Sequence, residues 1–167
     1  MESKKQSFKD ALKYGQEGEH EIAEALINKG VNLMPLYQFE TEHAPFILAG
    51  IEKLVSPDLL CFSLKAVFMA EVKTKNRWIE FKGVRETGLD LRLFNQYKKV
   101  QVACNIPVWL FFNHKTQEPK GIYYCLLGKH TRLWNGLKKT GEYVQKPMVF
   151  YDYKKLFKLG NNNLADK

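Results

Sequence analysis

Two short apolar runs, residues 58–62 and 66–72, are separated by only three residues, and they constrain the fold more than any other feature of the chain. Both runs are dense in apolar, β-branched and aromatic side chains, a composition typical of strands. Their closeness predicts an antiparallel hairpin. If Leu64 and Lys65 form a two-residue turn, paired positions sum to 129 and Asp58 lies directly opposite Glu71. A different turn length would shift this register.

Lys73 extends the same strand and completes a charged group. Residues opposite one another on antiparallel strands share a face, and Lys73, two residues after Glu71, shares it too. An acidic residue two positions before a lysine occurs five times in this chain, so the spacing alone selects nothing. Only Glu71 and Lys73 continue a strongly apolar strand that has an acidic partner, Asp58, on the preceding strand. We therefore expect these three side chains to converge.

Such a group has a recognisable chemistry. Two neighbouring carboxylates repel each other, and the pair either shares a proton or binds a cation. Hard oxygen ligands suit Mg²⁺ or Mn²⁺, which stabilises the charge that builds up during phosphodiester hydrolysis. The adjacent Lys73 ammonium can hold or help to deprotonate the attacking water and neutralise the transition state. The alternative is a surface ion pair on a sheet edge.

An N-terminal helix is predicted over about residues 8–29, with a break near the glycines at 15 and 18. On a helical wheel Glu19 lies on the narrow stripe that Ile22 and Leu26 bury. A carboxylate on that face needs a partner, and the predicted metal site would provide one. The alternative is a glutamate whose head group reaches solvent at the helix edge.

The remaining pattern predicts a mixed α/β protein. At 167 residues the chain fits a single domain with one core, with residues 1–6 and 161–167 as loose tails. The other predicted elements are a strand and a loop over 31–55, a basic loop over 76–90, a helix over 90–104, a strand pair over 107–112 and 122–127, and a last strand over 148–153 before a short helical tail.

The charge of the chain favours polyanionic partners. Lys and Arg exceed Asp and Glu by 26 to 18, a net charge of +8. No apolar run spans a bilayer and no secretory signal is present, so we expect a cytoplasmic protein with no membrane partner. Cys61, Cys104 and Cys125 are far apart among apolar neighbours, which predicts buried free thiols. The four histidines lack the spacing of a zinc site.

These features together resemble the PD-(D/E)XK nuclease superfamily, which includes archaeal Holliday-junction resolvases and small phage and prophage nucleases. The resemblance rests on Glu19 in the first helix, Pro57-Asp58, Glu71-Val72-Lys73, and Gln96 in the second helix, and it covers about residues 15–112. It implies an α/β restriction-endonuclease-like fold with an αβββαβ core, a mixed central sheet flanked by helices, and here an additional C-terminal β-rich segment.

The resemblance also implies roles for individual residues. Asp58, Glu71 and the backbone carbonyl of Val72 would bind the metal, Lys73 would be the catalytic lysine, and Glu19 an auxiliary acid that also contacts the metal. Gln96 is an additional candidate catalytic residue, although it sits at the edge of its helix's apolar face and also fits a surface position. Four further basic residues are candidate phosphate contacts, with a solvated basic edge as the alternative: Lys75, Arg77, Lys82 and Arg85.

We therefore expect a Mg²⁺- or Mn²⁺-dependent deoxyribonuclease that acts on duplex or branched DNA, in the manner of a junction resolvase. Junction cutting would favour a homodimer, because two active sites must meet two strands. The main alternative is a non-catalytic protein that binds nucleic acid or a partner through a nuclease-like fold. A basic α/β domain without a nucleic-acid role would leave Glu19 on its apolar face unexplained. The aromatic residues of the C-terminal third are expected in the core and on sheet surfaces rather than as a base-stacking platform.

Overall fold

The computed structural model describes residues 2–36, 45–137 and 146–160. Within these ranges the chain forms two α-helices and twelve strands. The helices are α1 (Glu2–Ile27) and α2 (Leu91–Cys104). The strands are β1 (Asn32–Pro35), β2 (Phe46–Ala49), β3 (Glu52–Val55), β4 (Leu59–Phe62), β5 (Val67–Lys75), β6 (Ile79–Phe81), β7 (Val84–Asp90), β8 (Val108–His114), β9 (Gly121–Leu126), β10 (Arg132–Trp134), β11 (Met148–Asp152) and β12 (Phe157–Lys158).

The main sheet has six strands in the order β1-β4-β5-β8-β9-β12. It is mixed, because β5 and β8 run parallel while the other neighbours are antiparallel. The parallel pair needs a crossover, which α2 supplies between β7 and β8. A second sheet, β10-β11-β7-β6, is antiparallel throughout, and β2 and β3 form a separate hairpin. The αβββαβ core and mixed central sheet expected from the sequence are confirmed.

The two helices cover opposite faces of the main sheet. Ile22 and Leu26 of α1 are completely buried in a cluster that includes Val72 of β5. Tyr97 and Val100 of α2 belong to a different cluster on the other face. The alternation of β5 side chains between these two clusters follows from the two-residue period of a strand. β5 therefore lies at the centre of the fold.

Several boundaries differ from those expected. α1 is unbroken at both glycines and begins at Glu2, within the segment expected to be a loose tail, because residues 2–10 contain no proline or glycine to interrupt it. Residues 31–55 hold β1 and the β2–β3 hairpin rather than one strand and a loop. The last strand leads through a turn of 3₁₀ helix into β12 rather than into a helical tail. Residues 161–167 lie outside the described residues.

The basic loop expected over 76–90 is wrong. This segment forms β6 and β7, and residues 86–90 of β7 pair with β11. The buried Glu86 conceals the pattern, because a charged residue breaks the apolar alternation of the strand. In the fold Arg132 of β10 neutralises it with an ion pair of 2.5 Å. Tertiary pairing thus makes strands of a stretch whose local composition is that of a loop.

The cysteines agree with the expected free thiols. Cys61 and Cys125 are buried, Cys104 is partly buried, and all three are free thiols. In the part of the chain that the structure describes, no helix combines the length and apolarity needed to cross a bilayer.

Candidate active site

The hairpin of β4 and β5 has the register that the sequence predicts. Leu59 pairs with Ala70 and Leu60 with Met69, and the Ser63 N–H donates to the Ala66 carbonyl at 2.9 Å to close the turn. One position beyond the Leu59–Ala70 pair, Asp58 therefore faces Glu71. β4 ends its pairing there, which leaves the next part of the β5 edge open on that side.

Asp58 fills this open edge. Its Oδ2 accepts a hydrogen bond of 2.7 Å from the backbone N–H of Val72. The pKa of Asp58 lies well above its ordinary value because burial disfavours the carboxylate, and the charge of Glu71 adds to the effect. The nearby Lys73 ammonium and the Val72 hydrogen bond act in the opposite direction. The negative charge of Glu71 thus opposes the ionisation of Asp58.

Glu71 is the most deeply buried charged group of the site. Only 1% of the residue is exposed, and neither carboxylate oxygen accepts a well-directed hydrogen bond from the described residues. The Nζ of Lys73 lies 2.5 Å from Oε1 as an ion pair. Burial acts to lower the pKa of Lys73, but Glu71 and Asp58 outweigh it and raise the pKa, so the ammonium stays protonated at neutral pH. Lys73 lies at one oxygen, Oε1, and the lone pairs of the other oxygen, Oε2, accept no hydrogen bond from the described residues.

Glu19 reaches the site from α1. Ile22 and Leu26, which share its stripe, are fully buried against the sheet, as the helical wheel predicts. Glu19 itself is half-buried, and burial raises the pKa of its carboxyl group, which also senses the charges of Lys73 and Glu71. Its own charge raises the pKa of Asp58 in turn. The structure therefore brings the carboxylate of Glu19 within electrostatic reach of the other three groups.

Gly18 allows this approach. A β-carbon at Gly18 would lie 1.8 Å from Oγ1 and 3.1 Å from Cβ of Thr74 on β5. Only a residue without a side chain lets α1 come this close to the strand. At Gly15, one turn earlier, no atom lies within 4 Å of such a β-carbon. The contact is therefore specific to the position next to Glu19.

α2 contributes Tyr97 to the site, and the sequence pattern did not single this residue out. The tyrosine is 2% exposed, and burial together with the charges of Glu71 and Asp58 raises the pKa of its hydroxyl group. Its neighbour Gln96 instead uses Oε1 to accept from the Val55 N–H at 3.3 Å. Gln96 thus holds the end of β3, three residues before Asp58. Because Tyr97 sits on the apolar stripe of its helix, the pattern alone gave no signal of a polar role.

The four basic candidates do not share one environment. Lys75 is half-buried at the end of β5, close enough to Lys73 for the two charges to interact. Arg77 is exposed just after β5. Lys82 and Arg85 lie on the β6–β7 hairpin, where Lys82 covers the ring of Phe81 and Arg85 pairs with Glu80 at 2.8 Å. Lys75 alone among them is linked electrostatically to the catalytic candidates.

The donor set fits a hard divalent cation. Asp58 and Glu71 offer carboxylate oxygens, and Oε2 of the buried Glu71 accepts no hydrogen bond from the described residues. Among the described residues no group of three or more His, Cys, Asp or Glu is placed to hold a metal ion, so Glu19 does not complete a three-carboxylate set with Asp58 and Glu71. Mg²⁺ is commonly bound by one or two carboxylates, with water and substrate phosphate as its other ligands. A site with the two carboxylates of Asp58 and Glu71 agrees with that mode.

Comparison with known proteins supports the fold. No family model matches the chain, and no curated protein matches its sequence. A solved structure that it resembles is that of Hjc, a Holliday junction resolvase from the archaeal hyperthermophile Archaeoglobus fulgidus, with a TM-score of 0.52 and 12% identity over 84% of this chain and 89% of that chain. The fold is nuclease-like. At this identity the likeness concerns the architecture, and the function must be argued from the site.

Proposed function

We propose that this protein is a divalent-metal-dependent nuclease that hydrolyses DNA phosphodiester bonds. The observation that carries the proposal is that two carboxylates, those of the buried Glu71 and of Asp58, lie beside a single ammonium, that of Lys73. One ammonium cannot neutralise two carboxylates, and the remaining negative charge is costly in a buried site unless a further cation is bound. The net charge of +8 and the nuclease-like fold agree with a polyanionic substrate.

Each residue of the site has a separate task in this proposal. Asp58, Glu71 and the Val72 carbonyl would hold Mg²⁺ or Mn²⁺, and Glu19 would contact it directly or through water. When bound, the metal supplies positive charge against the scissile phosphate and activates water. Lys73 stays protonated, so its ammonium holds the attacking water or a phosphate oxygen and neutralises charge in the transition state. Tyr97 would add a hydroxyl group from α2 close to the charges of Glu71 and Asp58.

The substrate structure is a further part of the proposal. Hjc is a Holliday junction resolvase, and the shared fold makes branched DNA a natural first substrate to test. Cutting a junction requires two active sites, so a homodimer would accompany that specificity. Incubation of the protein with Mg²⁺ or Mn²⁺ and a panel of linear, branched and single-stranded DNAs tests both points.

The decisive variant is Lys73→Ala, with Lys99→Ala as its matched control. Both lysines form an ion pair with a glutamate, but Lys99 pairs with Glu52 on an exposed surface. We expect Lys73→Ala to abolish cleavage and to keep DNA affinity within a few fold, since one lysine is a small part of a distributed phosphate contact. Lys99→Ala should cut normally. Binding of DNA by a wild-type protein that cuts no member of the panel would instead favour the non-catalytic alternative.

A further inference from the structure

Beyond the catalytic group, β5 carries a second ammonium that the site chemistry leaves unexplained. Lys75 is the last residue of β5, on the same face as Glu71 and Lys73, and it is half-buried. Among the described residues no carboxylate or other acceptor pairs with its Nζ. The one charged group that shifts the pKa of Lys75 is Lys73, another cation.

Next to Lys75 the described part of the chain places an uncharged pair of aromatic rings, not an anion. His114 of β8 pairs with it in the parallel register, so the two side chains share a face. The His114 ring is 1% exposed and stacks on Trp78 with ring centroids 3.5 Å apart, while its Nε2 lies 3.3 Å from Oγ1 of Thr87. Burial and the charge of Lys75 lower the pKa of His114 to about 4, so the ring is neutral at physiological pH. Lys75 therefore borders a cation on one side and a neutral aromatic wall on the other.

A half-buried ammonium with no counter-ion destabilises the folded state. Burial and Lys73 lower the pKa of Lys75 to about 8, which expresses the same cost. A partly buried charge without a counter-ion is typical of a site that an external anion completes. The two lysines are two residues apart on one strand face, which separates their Cα atoms by about 6.6 Å. That distance is comparable to the separation of consecutive phosphates along a nucleic-acid strand.

We propose that Lys75, backed by His114 and Trp78, forms a second phosphate subsite, which binds the phosphate that adjoins the one held at Lys73. The inference rests on the proposed function, because it takes the Lys73 site as the position of the scissile phosphate. It makes the substrate a strand with at least two consecutive phosphates. It also separates Lys75 from Arg77, Lys82 and Arg85, which remain peripheral contacts.

A small ligand tests the subsite without any cleavage. Calorimetry in Ca²⁺ buffer would compare thymidine 3′,5′-bisphosphate with the 3′- and 5′-monophosphates, since the bisphosphate reaches both lysines at once. We expect wild-type protein to prefer the bisphosphate by about tenfold or more, the effect of one charge-assisted contact. Lys75→Met should bind all three ligands alike, and Lys75→Arg should keep most of the preference. Lys129→Met removes an exposed lysine and should behave as wild type.

A second arm distinguishes an internal phosphodiester from a terminal phosphate. In a DNA that the wild-type protein cleaves, one methylphosphonate replaces the phosphate on one or the other side of the scissile bond. A separate substrate lacks the 5′-phosphate. If the subsite holds an internal phosphate, one methylphosphonate slows wild-type cleavage about tenfold and slows Lys75→Met no further. If removal of the 5′-phosphate slows wild-type cleavage instead, the subsite binds a terminal phosphate.

The outcomes separate the two proposals. Equal preference for the bisphosphate in wild type and Lys75→Met overturns the subsite, whether or not DNA is cut. A protein that never cuts DNA but loses its bisphosphate preference in Lys75→Met keeps the subsite and loses the catalytic proposal. Denaturant unfolding checks that Lys75→Met folds, and we expect it to be at least as stable as wild type. A lysine with a purely structural role would instead lose stability.

Discussion

Replacing Gly18 by alanine tests how α1 delivers Glu19 to the site. The added β-carbon would meet Thr74 at 1.8 Å from Oγ1 and 3.1 Å from Cβ. Rotation of the Thr74 side chain relieves the first contact but leaves the second. Either the helix moves away from β5 or the strand shifts, and such overpacking costs about 1–3 kcal/mol. Alanine also stabilises the helix by about 0.5–1 kcal/mol relative to glycine, which offsets part of this cost. We expect a net loss of about 1–2 kcal/mol in the free energy of unfolding.

Gly15→Ala is the matched control for this substitution. The residue lies on the same helix, one turn earlier, and its new β-carbon would have no atom within 4 Å. Only the propensity gain applies, so this variant should be more stable than wild type by about 0.5–1 kcal/mol. Urea unfolding followed by circular dichroism measures both variants. The two substitutions are chemically identical and should change stability in opposite directions.

A double variant locates the clash. Thr74→Ala removes Oγ1 and Cγ2, so Gly18→Ala should cost about 1 kcal/mol less in that background. The cleavage rate should follow the stability data, because a helix that moves away from β5 carries Glu19 with it. If Gly18→Ala stabilises the protein as much as Gly15→Ala does, α1 does not approach β5 at this point, and the position of Glu19 loses its structural basis.

Three further predictions concern the site and its surroundings. Asp58→Asn and Glu71→Gln should lose Mn²⁺ binding in calorimetry and bind DNA at least as tightly as wild type, since each removes a negative charge facing phosphate; unchanged Mn²⁺ affinity in both would exclude them as ligands. Glu19→Gln should slow cleavage and weaken Mn²⁺ binding with a stability change within about 0.5 kcal/mol, and an unaltered rate would place Glu19 outside the site. The pKa of His114 is about 6.5 in the unfolded chain and about 4 in the folded protein. The free energy of unfolding should therefore decrease as the pH falls from 6.5 to 4, by at most about 3 kcal/mol. Urea unfolding at pH 7 and pH 5 should show a smaller drop for His114→Gln than for His20→Gln, and equal drops would contradict the assignment.

The β4–β5 hairpin was predictable because its determinants are local. The two apolar runs, the short turn and the period of two fix which residues face each other, and Asp58 and Glu71 follow from the register alone. α2 was equally readable, because Asp90 caps it by accepting from the Arg92 N–H and an apolar stripe follows. The assignment of metal binding and catalysis to these residues stays a prediction.

What could not be predicted depends on partners far away in the sequence. Glu86 has the local pattern of a loop residue, and its burial depends on the ion pair with Arg132, which lies 46 residues later in the chain. Tyr97 is indistinguishable from a core aromatic until the fold places the Glu71 carboxylate beside its hydroxyl group. The environment of Lys75 is unusual because no described acceptor pairs with its ammonium, and a local sequence pattern cannot show this. Burial and pairing in three dimensions therefore decide the part of the site that spacing leaves open.

The pairing of β7 with β11 has a consequence for synthesis on the ribosome. Asp90 pairs with Met148 and Glu86 with Asp152, so the partner of β7 is translated about 60 residues after it. At about 5–20 residues per second this leaves the β7 edge unpaired for about 3–12 s. During that interval β7 presents a free strand edge next to the exposed apolar side chains of Ile79 and Phe81, a surface prone to pair with other chains. Yield of soluble protein should therefore depend on translation speed through the last third of the chain, and on chaperones that shield this edge until β11 emerges.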